Sequence, residues 1–388
     1  MVVYGTVGRS SVFGSGAIVG FLCGQIARYI LPLEDESEKH SHRWIESTSI
    51  STPHYPPDTP LPSVDNVFDR SAYTCSINLR TKIPNWVAEH LNRSQTELKN
   101  GERKKASFRS DEDVKVIHRA HNKDYWDSGW SRGHLAAAAS HRTTQEAQNS
   151  TFLLNSNIVP QDLSMNGCDW NRVEVLVRDL AKEFDDVYVL SGPLWVPENN
   201  SMCSQRPFSK NMVILHEVVG EGMVHVPTHL FKIIHIRHKG KQASVAFVLP
   251  NKYILEEKPL ESYETSFEEL EKLTGLDLSG MRASDNLCEL VRCDRKENRR
   301  MRGWRLYGNI DDSRSIDGLR DAVRLAIDEG FVDGDNFLIP KIIKDRMIDL
   351  RLQADPLLLF PDEERYRTAV ERGFANFQRR SIPSDAKS

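Results

Sequence analysis

The stretch "SGWSRGHLAAAASH", Ser128 to His141, sets an arginine, a glycine and a histidine between an aromatic residue and four alanines. A histidine in such a place is ordinarily a buried residue that satisfies local hydrogen bonds, and the residues downstream of it decide whether it is more. There lies "STFLLNSNIVPQDLSMNGCDWNRVEVLVRDL", Ser150 to Leu180, where Asn166, Trp170 and Glu174 are spaced by four. At about 100° per residue the three stay within roughly 80° of one another on one helix face. A tryptophan there is ordinary packing, but an asparagine and a glutamate bracketing it make a candidate oxygen-donor set.

Phosphodiester hydrolysis needs parts of this kind. A water must lose a proton in line with the scissile bond, and the charge growing on the phosphate and the leaving O3′ must be neutralised. Neutral His134 would supply the base, because an imidazole titrates near working pH. Mg²⁺ would supply the charge, since it keeps several waters and often takes only one or two protein ligands. Mn²⁺ accepts the same oxygen ligands and is expected to substitute. Asn166 would hold the ion, and Glu174 would orient its water from outside the ligand shell. Arg132, two residues before His134 and on the same strand face, would pair with phosphate.

In order along the chain, "SRGH" (131–134), "SNIVPQ" (156–161), "NGCDWNRVE" (166–174) and "SGPLW" (191–195) resemble the DNA/RNA non-specific endonucleases of the ββα-metal class. The resemblance covers roughly residues 68 to 278. It implies that His134 is the general base, Asn166 the metal's only direct protein ligand, Glu174 a contact to its waters, and Asn157 a further active-site residue. It also implies that the other ring nitrogen of His134 is held by a backbone carbonyl. "GERKKASF" resembles the segment whose arginine faces substrate phosphate, which marks Arg103. Where the family usually has an aspartate, this chain has Ser131, the form seen in the EXOG branch of mitochondrial 5′ to 3′ exo/endonucleases. Ser131 is therefore grouped with Arg132 and Arg103 as a substrate contact.

That branch carries a C-terminal extension, and "LCELVRCDRKENRRMRGWRLYGN" is similar to it. There an aromatic residue with basic neighbours favours action near a 5′ end, which marks Trp304. Glu289 to Arg305 holds seven Lys/Arg against three Asp/Glu. A base stacked on an aromatic side chain is worth about 1–3 kcal/mol. The resemblance thus implies a nuclease of mitochondrial DNA repair acting on DNA, with RNA or an RNA/DNA hybrid as further substrates, and working as a homodimer. The alternatives are an endonuclease G-like enzyme of DNA degradation and a catalytically silent binder, which would have no need of the base.

Composition narrows little beyond this. A formal net charge of −4, 27% charged residues and a mean hydropathy of −0.48 describe a soluble globular chain with no whole-molecule positive field, so nucleic acid must be met through local patches. The six cysteines show no C-x-x-C spacing, and a disulfide framework is not expected. His225 and His229 would lie about 13 Å apart on one strand, too far for one metal.

Residues 10–27 carry no charge and are flanked by Arg9 and Arg28, which suits a mitochondrial targeting or membrane-anchor segment over 1–32 in the inner membrane. Residues 33–65 read as an unpacked linker, 66–278 as the nuclease domain and 279–388 as a small helical C-terminal domain. Alternating runs predict strands at "SAYTCSINL", "DDVYVLSGPLWV", "KNMVILHEVV", "VHVPTHLFKIIHI" and "QASVAFVLP". Helices are expected at "IPNWVAEHLN", Asn166–Phe184, "FEELEKLTGL" and the C-terminal segments. The class is α+β, with a mainly antiparallel sheet.

Overall fold

Period-two alternation of apolar residues builds most of the strands. The computed structural model describes residues 53–57, 59–63, 65–197, 212–332 and 338–381. The run 10–27 and the first part of the expected linker lie outside these residues. No helix among the described residues is long and apolar enough to cross a membrane.

The strands are β1 (Val67–Asp69), β2 (Thr74–Asn78), β3 (Ile83–Leu91), β4 (Ser131–His134), β5 (Ile158–Gln161), β6 (Asp186–Leu194), β7 (Val218–Val219), β8 (Val224–His225), β9 (His229–His238), β10 (Lys241–Pro250) and β11 (Asp285–Asn286). Seven form one sheet in the order β1-β2-β3-β6-β9-β10-β11, antiparallel at every pairing except β10 with β11. Both faces are covered. Val87, Val189, Ile234 and Phe247 face a core that includes Trp170, Val173, Leu176 and Val177. Trp86, Ala88, Leu190, Ile233 and Ala246 face the other way, onto Leu270, Leu278 and Tyr55.

Beside the sheet, β4 and β5 pair antiparallel in the register Ser131↔Gln161 to His134↔Ile158. The chain then enters a short helix α1 (Leu163–Met165), a π-helical turn (Asn166–Trp170) and helix α2 (Asn171–Glu183). This is the ββα unit that the motif order implies. The mixed α and β content, the mainly antiparallel sheet and the C-terminal helices agree with the expected α+β class.

Several expectations need correction. "IPNWVAEHLN" is strand β3, not a helix. It is inserted between β2 and β6, where its residues alternate between the two cores, and Pro84 sits opposite Ile77 at a register shift that tolerates a missing N–H. "KNMVILHEVV" supplies only β7 among its described residues, and its Met212, Ile214 and Leu215 side chains are exposed. His225 and His229 do not share a strand, since β8 ends at His225 and β9 begins at His229.

The linker reading fails from residue 53 onward: Tyr55 is buried in the second core, and Ser63 accepts from the Trp86 indole. A disulfide joins Cys288 and Cys293, whose Cα atoms are 5.2 Å apart. A search for C-x-x-C spacing could not see a pair five residues apart. The domain boundary also moves. β11 pairs with β10, and Leu287 and Cys293 lie in the main core, so 279–297 belong to the sheet domain. With α3 (Phe267–Thr274) packed on the sheet side, the helical part begins only at α4 (Arg299–Asp311), followed by α5 (Ile316–Asp328), α6 (Leu338–Asp349) and α7 (Glu364–Ser381). Leu306, Val323, Ile343 and Val370 lie in its own apolar cluster.

Candidate active site

Two hydrogen bonds lock β4 to the helix that follows β5. The Asn166 amide nitrogen donates to the Ser131 hydroxyl at 3.1 Å, and the Trp170 indole N–H donates to the His134 carbonyl at 3.0 Å. The strand offset of three thus meets a helical offset of four, so Ser131 and His134 are fixed against the turn that carries Asn166. Ser131 in turn donates to the Gln161 carbonyl at 2.8 Å. It therefore orients Asn166 and is not spent on substrate.

Because the Asn166 nitrogen is taken, its Oδ1 is turned out of the lock, and no other hydrogen bond engages it among the described residues. A neutral, half-exposed amide oxygen of this kind suits a hard cation. Glu174, on α2, is half-buried, with the Arg178 guanidinium 3.8 Å away. Burial pushes its carboxyl above the ordinary range, against the opposing pull of Arg178 and Lys232. The donor chemistry fits a hard cation: Asn166 offers one neutral oxygen, and Glu174, eight residues on, a carboxylate, a sparse set that leaves positions for water and phosphate oxygens.

The His134 ring is clasped by Phe152, edge-on at 4.8 Å between centroids, and by Phe108 at 5.4 Å. Its Nε2 is buried and has no hydrogen-bond partner. The expected backbone carbonyl partner for the ring is not found among the described residues, so the two phenylalanines fix its orientation. The same rings carry two guanidiniums: Arg103 stacks on Phe152 at 4.0 Å and Arg132 on Phe108 at 4.3 Å. Arg132 is further steered by a 2.7 Å hydrogen bond to Asn122. Burial, and then the Arg103 and Arg132 charges, drive the His134 pKa down to about 3. The site is thus a neutral imidazole flanked by two cations.

Gly133 is required by close approach. A Cβ there would lie 2.0 Å from the fully buried side chain of Gln161. Asn157 departs from its expected role. It is fully buried, accepts from the Ala136 N–H at 2.7 Å, and donates to the carbonyls of Ala136 and Thr151. It clamps the loop after His134 and presents nothing to a substrate.

The basic run around Trp304 is mostly spent internally. Arg305 is buried with Asp169 and Glu297, Arg295 pairs with Asp179 and Arg302 with Glu329, while Lys296 meets Asp294. Arg292, Arg299 and Arg300 are its exposed cations without an ion pair among the described residues, and of these Arg299 donates to the carbonyls of Glu329 and Gly330. Trp304 itself is half-buried against Gly167, the neighbour of Asn166.

Sequence reasoning missed Phe108, Phe152 and Lys232. Lys232 is buried in the middle of β9, where it donates to the Leu135 carbonyl at 2.9 Å and to Ser191, over the Trp170 ring at 4.8 Å. Glu89, 3.7 Å away, balances its charge and also contacts His141 at 2.6 Å. The signal was present: "HLFKIIHI" places a lysine on the inward face of an otherwise apolar strand.

Comparison with known proteins agrees with this geometry. A family model described as DNA/RNA non-specific endonuclease matches residues 50–282. The mitochondrial nuclease EXOG of Xenopus laevis is 39% identical over 219 residues, covering 55% of this chain and 59% of that protein. The mouse EXOG is 33% identical over 285 residues, covering 70% of this chain and 73% of its own length. Human mitochondrial endonuclease G is 36% identical over 217 residues, covering 56% and 70%. The crystal structure of an EndoG/EndoGI complex superposes with a TM-score of 0.53 at 33% identity, over 57% of this chain and 89% of that one. With the ββα lock holding the S-R-G-H strand against the asparagine turn, the chain belongs to the DNA/RNA non-specific endonuclease family.

Proposed function

We propose that the protein is a metal-dependent mitochondrial nuclease of the EXOG type, hydrolysing phosphodiester bonds of DNA from a 5′ end as well as internally. The observation that carries the chemistry is the neutral imidazole of His134, whose ring makes no hydrogen bond among the described residues and which is set between the guanidiniums of Arg103 and Arg132. The guanidiniums bind and orient a phosphate, and His134 takes a proton from the attacking water. Lys232 and Trp170 hold the His134–Leu135 backbone still, and Glu174 accepts hydrogen bonds from water at the site. Asn166 would hold Mg²⁺, with Mn²⁺ able to replace it. When bound, the ion neutralises charge developing on the phosphate and the leaving oxygen.

Support for the EXOG branch over an endonuclease G-like enzyme comes from Ser131 and from alignment length. EXOG alignments run from 219 to 285 residues, the mouse one exceeding the matched family segment 50–282, and the human endonuclease G alignment covers 217, so length adds only modestly to Ser131. Trp304, Arg292 and Arg300 are the groups left to meet a strand end. RNA and RNA/DNA hybrids share the phosphate chemistry and are proposed as further substrates, with mitochondrial DNA repair as the setting. Residues 1–32 are proposed as the mitochondrial address, with 10–27 at the inner membrane, and the active form as a homodimer.

The test offers the full chain, with Mg²⁺, a 5′-labelled linear duplex and a covalently closed circle. Rapid release of short labelled products with slow nicking of the circle is expected, whereas equal attack on both would favour the endonuclease G-like alternative. In the same assay His134→Ala should lower kcat by about 10²–10⁴ while DNA affinity is kept. Undiminished turnover would remove His134 from the chemistry. Trp304→Ala should lose the preference for the linear end while still nicking the circle at saturating Mg²⁺.

A further inference from the structure

We infer that Arg305 and Trp304, on C-terminal helix α4, are positioning residues that brace the turn carrying Asn166, so that the C-terminal segment sets metal affinity. The inference rests on the reading of Asn166 as the metal ligand. It starts from an arrangement that imitates a metal site: single ligand atoms of Cys168, Asp169 and Glu297 all lie within 4.8 Å of one another. That space is already taken by a cation, the guanidinium of Arg305. It donates to both Asp169 oxygens at 3.0 Å, to the Cys168 sulfur at 3.3 Å, to Glu297 and to the Ile254 carbonyl.

Cys168 and Asp169 belong to the π-helical turn that begins at Asn166 and ends at Trp170. A π turn is an irregular hydrogen-bonding stretch, and tertiary contacts have to hold it. One row of α4 does so. Trp304 lies so close to Gly167 that a Cβ on that glycine would fall 2.4 Å from its ring, and Gly308, one helical turn on, sits against Ser164. Arg305, between them, holds the side chains of the residues two and three beyond Asn166. The partner of this turn is therefore a helix from the segment that lies beyond the matched family region, residues 50–282.

The test uses the full-length protein and Mn²⁺ alone, with binding followed by loss of the free-ion electron paramagnetic resonance signal. Amide hydrogen exchange is followed in parallel. Arg305→Met leaves the 3.0 Å pair of Asp169 with Arg172 in place and so keeps that buried carboxylate partnered. Mn²⁺ binding is expected to weaken about tenfold, the usual cost of losing a residue behind a ligand. Exchange should quicken at 163–174 and stay unchanged in β6 and β9, whereas general destabilisation would quicken both. Arg305→Lys, which keeps the charge and loses the fork, should recover part of the affinity.

Asn166→Ala is the control. If it weakens Mn²⁺ binding while Arg305→Met leaves binding and exchange at wild-type values, the brace is overturned and the ligand reading stands. If Asn166→Ala changes nothing, both fall. Should Arg305→Met fail to fold, Gly167→Ala probes the same contact from the other side by pushing a methyl against Trp304. It should reproduce weaker binding and faster exchange at 163–174, and wild-type behaviour there would overturn the brace.

Discussion

His134 is held neutral by burial first, and then by the charges of Arg103 and Arg132, all acting in the same direction. The folded protein takes up this proton only near pH 3, whereas an unfolded chain takes it up near 6.5. Between those values the unfolded state binds more protons. The contribution of His134 to stability is therefore fully present above pH 6.5 and is lost as pH falls toward 3. Denaturant titrations at pH 7 and pH 4 should show wild type losing more stability than His134→Gln, and equal losses would mean that the environment does not act on this ring. For activity, Arg103→Gln removes the larger of the two repulsive charges, so the acid limb of kcat should move to higher pH. An unmoved limb would detach Arg103 from the base. At this scale the sequence marks His134, Asn166 and Glu174 as candidates, because the reaction demands those types and the motifs keep their order. It misled for Asn157 and Ser131. Both are small polar residues that a motif cannot tell apart as contacts or as clamps; only their hydrogen bonds can.

Among the elements, the β4–β5 pair and the turn after it act as one piece. Asn157→Ala would strand the buried Ala136 N–H and two carbonyls, so a stability loss of about 1–3 kcal/mol is expected. Because the clamp acts through the loop after His134, kcat should fall with it while the KM for DNA holds. A change in KM alone would return Asn157 to the substrate side. Gly133→Ala must displace the buried Gln161 side chain and should cost about 1–3 kcal/mol as overpacking. Strands with clean alternation, β6 and β10, were legible in the sequence. β3 was not, because Glu89 and His90 interrupt its pattern and their explanation is long-range. Glu89 pairs with Lys232 and His141, and His90 with Asp186. Nothing local in "IPNWVAEHLN" announces those partners.

On the scale of the whole molecule, the sheet domain does not end where the motifs end. Removing everything after Leu278 deletes β11 and takes Leu287 and Cys293 out of the main core. Such a truncation is expected to aggregate and to lose exonuclease and endonuclease activity together, as read by size-exclusion chromatography and both cleavage assays. A soluble truncation that still nicks the circle would contradict this. The boundary was hard to see in sequence because charged residues from Glu289 onward suggest a surface, whereas Arg172, Asp179 and Asp294 consume much of that charge internally.

The contact between Asp169 and Arg305 joins residues 136 positions apart. A ribosome or an import pore delivers the chain from its N-terminus, so the turn bearing Asn166 emerges long before the helix that clamps it. Most of the polypeptide can exist without a finished site. On the proposed brace, cleavage competence would arrive with the last third of the chain, after most of it has been made.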